Sequence, residues 1–222
     1  NAIGSGTVDL YVEYSGTIWG SFMRREGNPG RAEITEITQT FVRERGLNPV
    51  GLAGFQNRYA LAMRRERAEE LGVVSVQDLA PLASMLSAGG DLEFFGRSEW
   101  KRLQSLYDLD FAQELTFDAA LMYTAVEAGQ VDVISAYSTD GRVAAYDLVL
   151  LEDQRQALLS YDAMLLASSA AAQDPRFTAA LAPVLGAISD EAMREANKMV
   201  DVEGRSVSEA TAYLQAIINK PR

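Results

Sequence analysis

The chain has 222 residues, enough for one large domain or for two small lobes that each bury a core. Apolar residues make up 48% and charged residues 23%; 20 Lys and Arg against 31 Asp and Glu leave a net charge of −11, which argues against a nucleic-acid backbone as partner. Histidine and cysteine are both absent, so a Ser-His-Asp triad, a thiolate nucleophile, zinc held by His or thiolate, and an iron–sulfur cluster are excluded.

In chain order, Ile34, Ile37, Phe41 and Val42 form one helical stripe, and Gly46 can end that helix in a left-handed cap. Val50–Phe55 and Tyr59–Met63 are short apolar runs that predict buried strands. Ser75 and Asp78 are spaced to cap a helix with Leu79, Leu82 and Leu86 on one face. Leu92–Phe95 predicts a strand, and Gly96-Arg97-Ser98 a turn. Helices follow over Glu99–Leu106 and Ala119–Ala128, the second closed by Gly129. Val131–Ala136 and Leu148–Leu151 predict further buried strands. Ala163–Ala172 is the most apolar stretch, too short and too interrupted by serine for a bilayer, which needs about 20 apolar residues. From Pro175 the pattern is helical over 176–186, 190–200 and 207–219. The last of these has a Ser206–Glu209 capping box and a stripe of Ala210, Leu214, Ile217 and Ile218. Helices between short buried strands predict an α/β fold with mainly parallel pairing.

An internal echo organises the chain. Gly6-Thr7-Val8-Asp9-Leu10-Tyr11-Val12-Glu13-Tyr14-Ser15 is repeated as Gly129-Gln130-Val131-Asp132-Val133-Ile134-Ser135-Ala136-Tyr137-Ser138. Each copy runs from a glycine through Val-Asp and an apolar strand to Tyr-Ser, then into a small-residue turn. Two lobes that each present such a unit would place a tyrosine at a strand end, the side on which open α/β sheets bind ligands.

Most other features are ordinary. Gly4-Ser5-Gly6 and Gly27-Asn28-Pro29-Gly30 are turns without the lysine or spacing of a phosphate loop. Glu152 and Asp153 are adjacent, so a strand would point them to opposite faces. Arg64–Arg67 followed by Glu69 and Glu70 reads as a solvated helix face. Four of the nine tyrosines, Tyr14, Tyr59, Tyr137 and Tyr161, fall at predicted strand ends or starts beside polar turns. Converging ring faces would make a box for a cation that carries no N–H donors, as a quaternary ammonium does.

The same residues carry a family resemblance. Asp9-Leu10-Tyr11-Val12-Glu13-Tyr14-Ser15-Gly16-Thr17 resembles the D-x-Y-x-E-Y-[TS]-G-T signature of binding proteins of ABC importers for glycine betaine, choline and related osmolytes. Asn57–Met63 is similar to that family's N-x-Y-A-L-A segment. Gly129–Arg142 and Asp147–Asp153 resemble its second half, and Ser189–Arg194 with Asp201–Gly204 its C-terminal helices. The resemblance implies a two-lobed type II periplasmic-binding-protein-like clamshell. Residues 1–57 plus 146–222 would form lobe I, and 58–145 lobe II. It implies ligand-binding roles for Tyr14, Tyr59, Tyr137 and Tyr161 as an aromatic cage, for Thr17 toward the ligand carboxylate, and for Asn57. Asp140 and Arg142 are expected to serve the turn or the contact between lobes.

The first lobe is expected to be incomplete at its N-terminus, because the family's opening strand, loop, helix and second strand do not precede Asn1. A second copy in a homodimer, or a missing N-terminal segment, would then complete it. The expected function is capture of a small quaternary amine or zwitterionic solute and delivery to an ABC transporter permease. The protein is expected to be extracytoplasmic, with no catalytic residues, metal, cofactor or nucleic-acid partner. An amino-acid or ectoine binding protein, the effector domain of a transcription regulator, and an enzyme of carboxylate or metal type stay open as alternatives.

Overall fold

A computed structural model describes residues 2–220. In chain order the elements are β1 (Leu10–Tyr14), the single turn α1 (Ser15–Thr17), α2 (Arg31–Arg43), β2 (Asn48–Gln56), β3 (Tyr59–Arg64), α3 (Arg65–Leu71) and α4 (Val76–Leu79). They continue with β4 (Ser87–Asp91), α5 (Ser98–Tyr107), β5 (Gln113–Phe117), α6 (Ala119–Glu127), β6 (Val133–Tyr137), α7 (Gly141–Ala145) and β7 (Leu148–Leu150). The chain ends with β8 (Asp162–Ala167), α8 (Ser169–Ala172), α9 (Pro175–Leu181), α10 (Asp190–Asp201) and α11 (Val207–Ile218). They form two compact units, one of Asn1–Asn57, Ser160–Ala196 and Arg205–Arg222, the other of Arg58–Leu159 and Asn197–Gly204.

The first unit holds a three-stranded sheet in the order β1-β8-β2, antiparallel throughout. Every residue of β8 is buried, because both faces of this central strand are covered. Met164 and Leu166 pack with Ile3, Ile18, Val42 and Leu47, while Ala163 packs with Ala53, Phe55, Ile188 and Ala192. That alternation explains the apolar run over Ala163–Ala167. In α2, Ile34, Thr38 and Val42 face the core. Gly46 takes φ +75°, and the N–H of Leu47 donates to the Val42 carbonyl, so the helix ends in the left-handed cap the glycine signals.

The second unit holds a five-stranded sheet in the order β5-β4-β6-β3-β7. Its two cores lie on opposite faces, Leu61 and Met63 of β3 turning to one and Ala62 to the other. Pairing in the protein is not mainly parallel. Among the named strands of the described residues only β4–β5 and β4–β6 are parallel, while β3 runs antiparallel to both β6 and β7. Because β7 pairs with β3, residues 146–159 belong to the second unit, and the first unit resumes at Ser160 rather than at 146.

Two further expectations change around β4. Leu92–Phe95 is not a strand: the Asp91 carboxylate accepts the N–H groups of Glu93 (2.9 Å) and Phe94 (3.0 Å), which turns the chain and leaves Leu92 77% exposed. The strand lies just before it, at Ser87–Asp91, with no apolar side chain larger than alanine. Packing explains that composition, since a Cβ on Gly90 would stand 2.8 Å from the Phe95 ring. The helix foreseen through Leu86 is cut short as well. The Ser75–Asp78 capping box forms, but α4 ends at Leu79, and a 3-10 turn at Ala83–Met85 leads into β4.

Candidate functional site

In the first unit, β1 delivers Tyr14 to its end, and the chain then turns through Ser15, Gly16 and Thr17. Ser15 is buried and stitches this turn to β8: its hydroxyl donates to the Ser160 carbonyl at 3.3 Å and accepts from the Asp162 N–H at 2.9 Å. Those two residues flank Tyr161. A Cβ on Gly16 would lie 2.6 Å from the Tyr161 ring, so the ring rests on bare backbone. The Asn57 N–H donates to the Tyr161 carbonyl at 3.0 Å, and the Tyr161 N–H donates to Gln56 Oε1 at 3.3 Å. Tyr14, Thr17, Asn57 and Tyr161 are therefore gathered at one end of this sheet, each half-buried. Burial, with Glu13 and Tyr11 nearby, pushes the Tyr14 phenol above its ordinary value and keeps it protonated. Asp162 is buried, and the Arg31 guanidinium reaches it from the start of α2 at 2.6 Å.

In the second unit, Tyr59 and Tyr137 are direct cross-strand partners on β3 and β6. Their ring centroids are 4.8 Å apart, and their hydroxyls meet at 3.0 Å. The Tyr59 hydroxyl donates to Asp91 Oδ2 at 3.0 Å, and the Tyr137 hydroxyl lies 3.4 Å from the same oxygen. Burial first, then the Tyr137 hydroxyl and Asp91, holds the Tyr59 phenol far above its usual titration range; burial raises Tyr137 too. Phe94 packs on Tyr59 with centroids 5.1 Å apart. The Arg97 guanidinium lies 5.3 Å from the Tyr59 ring centroid and pairs with Glu93 (3.4 Å) and Glu99 (3.2 Å). Burial alone would raise the Glu99 carboxyl, but Arg97 and neighbouring donors hold it below its ordinary value. Asp140 and Arg142 serve the turn after β6: Asp140 caps α7 through the Arg142 N–H at 2.9 Å and pairs with its side chain.

The echoed segments use their matching residues alike. Ser138, like Ser15, is buried; its hydroxyl accepts the Arg58 N–H at 3.1 Å, one residue before Tyr59. At the other end, Asp9 accepts from the Ser168 hydroxyl at 3.3 Å and Asp132 from the Ser87 hydroxyl at 2.9 Å. In each unit, then, Val-Asp pins the start of a strand, and Tyr-Ser pins its end beside a second tyrosine.

Asp91, Phe94 and Arg97, which the fold brings around Tyr59, carry little signal in the sequence. Asp after Gly-Gly is a turn signal that could have ended β4 there, but a strand of Ser, Ala and Gly carries no apolar alternation to point at it. An apolar cavity of about 550 Å³ lies elsewhere in the first unit, lined by Val8, Tyr11, Glu13, Ile18, Phe41 and Leu166, and none of the six candidate residues lines it. Among the described residues no cluster of His, Cys, Asp or Glu could hold a metal ion. No helix among them is long and apolar enough to cross a membrane.

The two α/β units, by their likeness to a solved binding protein of an ABC transporter, belong to the type II periplasmic-binding-protein fold class. The chain belongs to the family of substrate binding domains of ABC-type glycine betaine transport systems, which it matches over residues 1–215. It is 31% identical to the glycine-betaine-binding protein of Pseudomonas aeruginosa, over 94% of this chain and 71% of that one. It is 28% identical to the ergothioneine transport permease/ergothioneine binding protein EgtU of Helicobacter pylori, over 90% of this chain. The chain spans only 36% of the length of that Helicobacter protein. The crystal structure of a glycine betaine/carnitine/choline ABC transporter superposes with a TM-score of 0.91 at 27% identity, covering 99% of this chain and 83% of the other.

Proposed function

We propose that this chain is the extracytoplasmic solute-binding part of an ABC importer, and that its solute is a small quaternary amine or zwitterion such as glycine betaine, choline, carnitine or proline betaine. The observation that carries the reading is the pairing of strand-end tyrosines, Tyr14 beside the turn that holds Tyr161 in one unit, and Tyr59 against Tyr137 in the other. A trimethylammonium group has no N–H to donate, so hydrogen-bond acceptors alone cannot recognise it. Aromatic faces can, at about 0.5–2 kcal/mol per ring when water is excluded, so four such rings contribute about 2–8 kcal/mol, against roughly 8 kcal/mol for a micromolar complex. Relatives whose names specify glycine betaine and ergothioneine, both methylated betaines, favour the same class.

In this reading Thr17 donates its hydroxyl to the solute's carboxylate, Asn57 adds a polar contact, and Arg97 offers a guanidinium beside the Tyr59 ring. The solute favours the conformation that binds it best, and the permease then takes it up. The solute leaves unchanged, so the protein needs no nucleophile, cofactor or metal. Arg97 also favours a second reading, an unmethylated amino acid held mainly through its carboxylate. Isothermal titration with glycine betaine, choline and carnitine, alongside glycine and proline, tests both. Heat from the methylated set alone is the expected result; heat from the amino acids alone supports the second reading, and none from either set overturns both.

A further inference from the structure

Asp91 is 8% exposed and lies directly behind the aromatic pair of the second unit. One carboxylate oxygen meets the hydroxyls of Tyr59 and Tyr137, and the other takes the N–H groups of Glu93 and Phe94. Its own N–H reaches Ser135 Oγ at 3.4 Å. A packing aspartate would need only the turn bonds to Glu93 and Phe94. The second oxygen instead ties together the two rings that the proposed function assigns to the solute. Arg97 does not settle the local charge, because Glu93 and Glu99 already face that one guanidinium.

We propose that Asp91 is a specificity-determining residue: its buried carboxylate, bonded to both hydroxyls, makes the Tyr59 and Tyr137 ring faces select a positively charged head group over a neutral one of the same shape. A phenol that donates to a carboxylate has a more electron-rich oxygen and ring, which strengthens its attraction for a cation. The carboxylate itself adds a charge term in a water-poor setting. The inference rests on the proposed solute class.

The test uses the full-length protein, choline, and its uncharged carbon isostere 3,3-dimethyl-1-butanol. Wild-type protein is expected to prefer choline, and Asp91→Asn to weaken choline about tenfold while changing the isostere less than about twofold. Equal loss of both ligands, or an unchanged ratio, overturns the inference and leaves Asp91 as a scaffold residue. Should Asp91→Asn fail to fold, Tyr59→Phe decides, since it keeps the ring and removes its link to the carboxylate. A fall of about threefold in the choline-to-isostere ratio supports the proposal, and no fall overturns it. Wild-type protein that binds the isostere as tightly as choline overturns this inference alone, whereas binding neither choline nor any other methylated amine overturns the proposed function with it.

Discussion

At the scale of single residues, the echoed segments mark Tyr14 and Tyr137, and the serine after each ties its strand end to a neighbouring segment. Ser15 and Ser138 take the N–H of a residue beside Tyr161 and Tyr59. Asp91 was not legible, since its partners come from three separate stretches of sequence. Thr17 gives the sharpest residue-level test of the solute's other end. Thr17→Val is expected to weaken glycine betaine about fivefold by removing one charge-assisted donor, and to leave choline, which has no carboxylate, unchanged. Equal weakening of both in a titration would contradict that role. Gly16→Ala would drive a methyl into the Tyr161 ring. It is expected to cost about 1–3 kcal/mol in a urea melt and to lower solute affinity as well; an unaltered melt would show that the ring can move aside. Glu13 offers a pH test. Burial in its apolar surroundings raises its carboxyl above the ordinary value, against the smaller pull of the Tyr14 N–H. The folded state therefore holds the proton more tightly than the unfolded one, and stability falls as pH rises from the ordinary glutamate value to the raised folded one, then levels off. Glu13→Gln is expected to raise the melting temperature at about pH 7 and to match wild type near pH 4. The same gain at both pH values would contradict a titration origin.

At the scale of elements, strands and helices with strong periodicity were readable and those shaped by tertiary packing were not. α2, β3, α6 and α11 follow apolar patterns that one or two buried faces impose. β4 is built of Ser, Ala, Gly and Asp because aromatic rings press on its surface, so its sequence resembles a loop. β5 is largely exposed and carries Gln, Glu and Thr, which removes the apolar run as well. Pairing direction was misread for a related reason: local sequence identifies a strand, whereas its direction depends on where the chain re-enters the sheet. Another close approach is hidden from sequence. Gly141 opens α7 against the backbone of α10, where a Cβ would stand 2.4 Å from the N and Cα of Lys198. Backbone cannot rotate aside, so Gly141→Ala is expected to cost about 3 kcal/mol, read as a lower urea midpoint. A midpoint within error of wild type would show that α7 can shift freely.

At the scale of the whole molecule, the order of motifs was enough to identify the family, while the division into units was only partly visible. The return to the first unit falls at Ser160, beyond the point suggested by motif order, because β7 completes the second sheet. Each unit carries its own version of the same strand-end arrangement, Tyr14-Ser15 in one and Tyr137-Ser138 in the other. The net charge of −11 suits a positively charged guest without choosing among such guests. The most direct test is isothermal titration of choline and glycine betaine into full-length protein carrying Tyr161→Ala or Tyr137→Ala, one change in each unit. Each change is expected to weaken binding about 2- to 30-fold, with the corresponding Tyr→Phe variants losing much less. Wild-type affinity in either alanine variant would contradict the proposed binding role of that tyrosine.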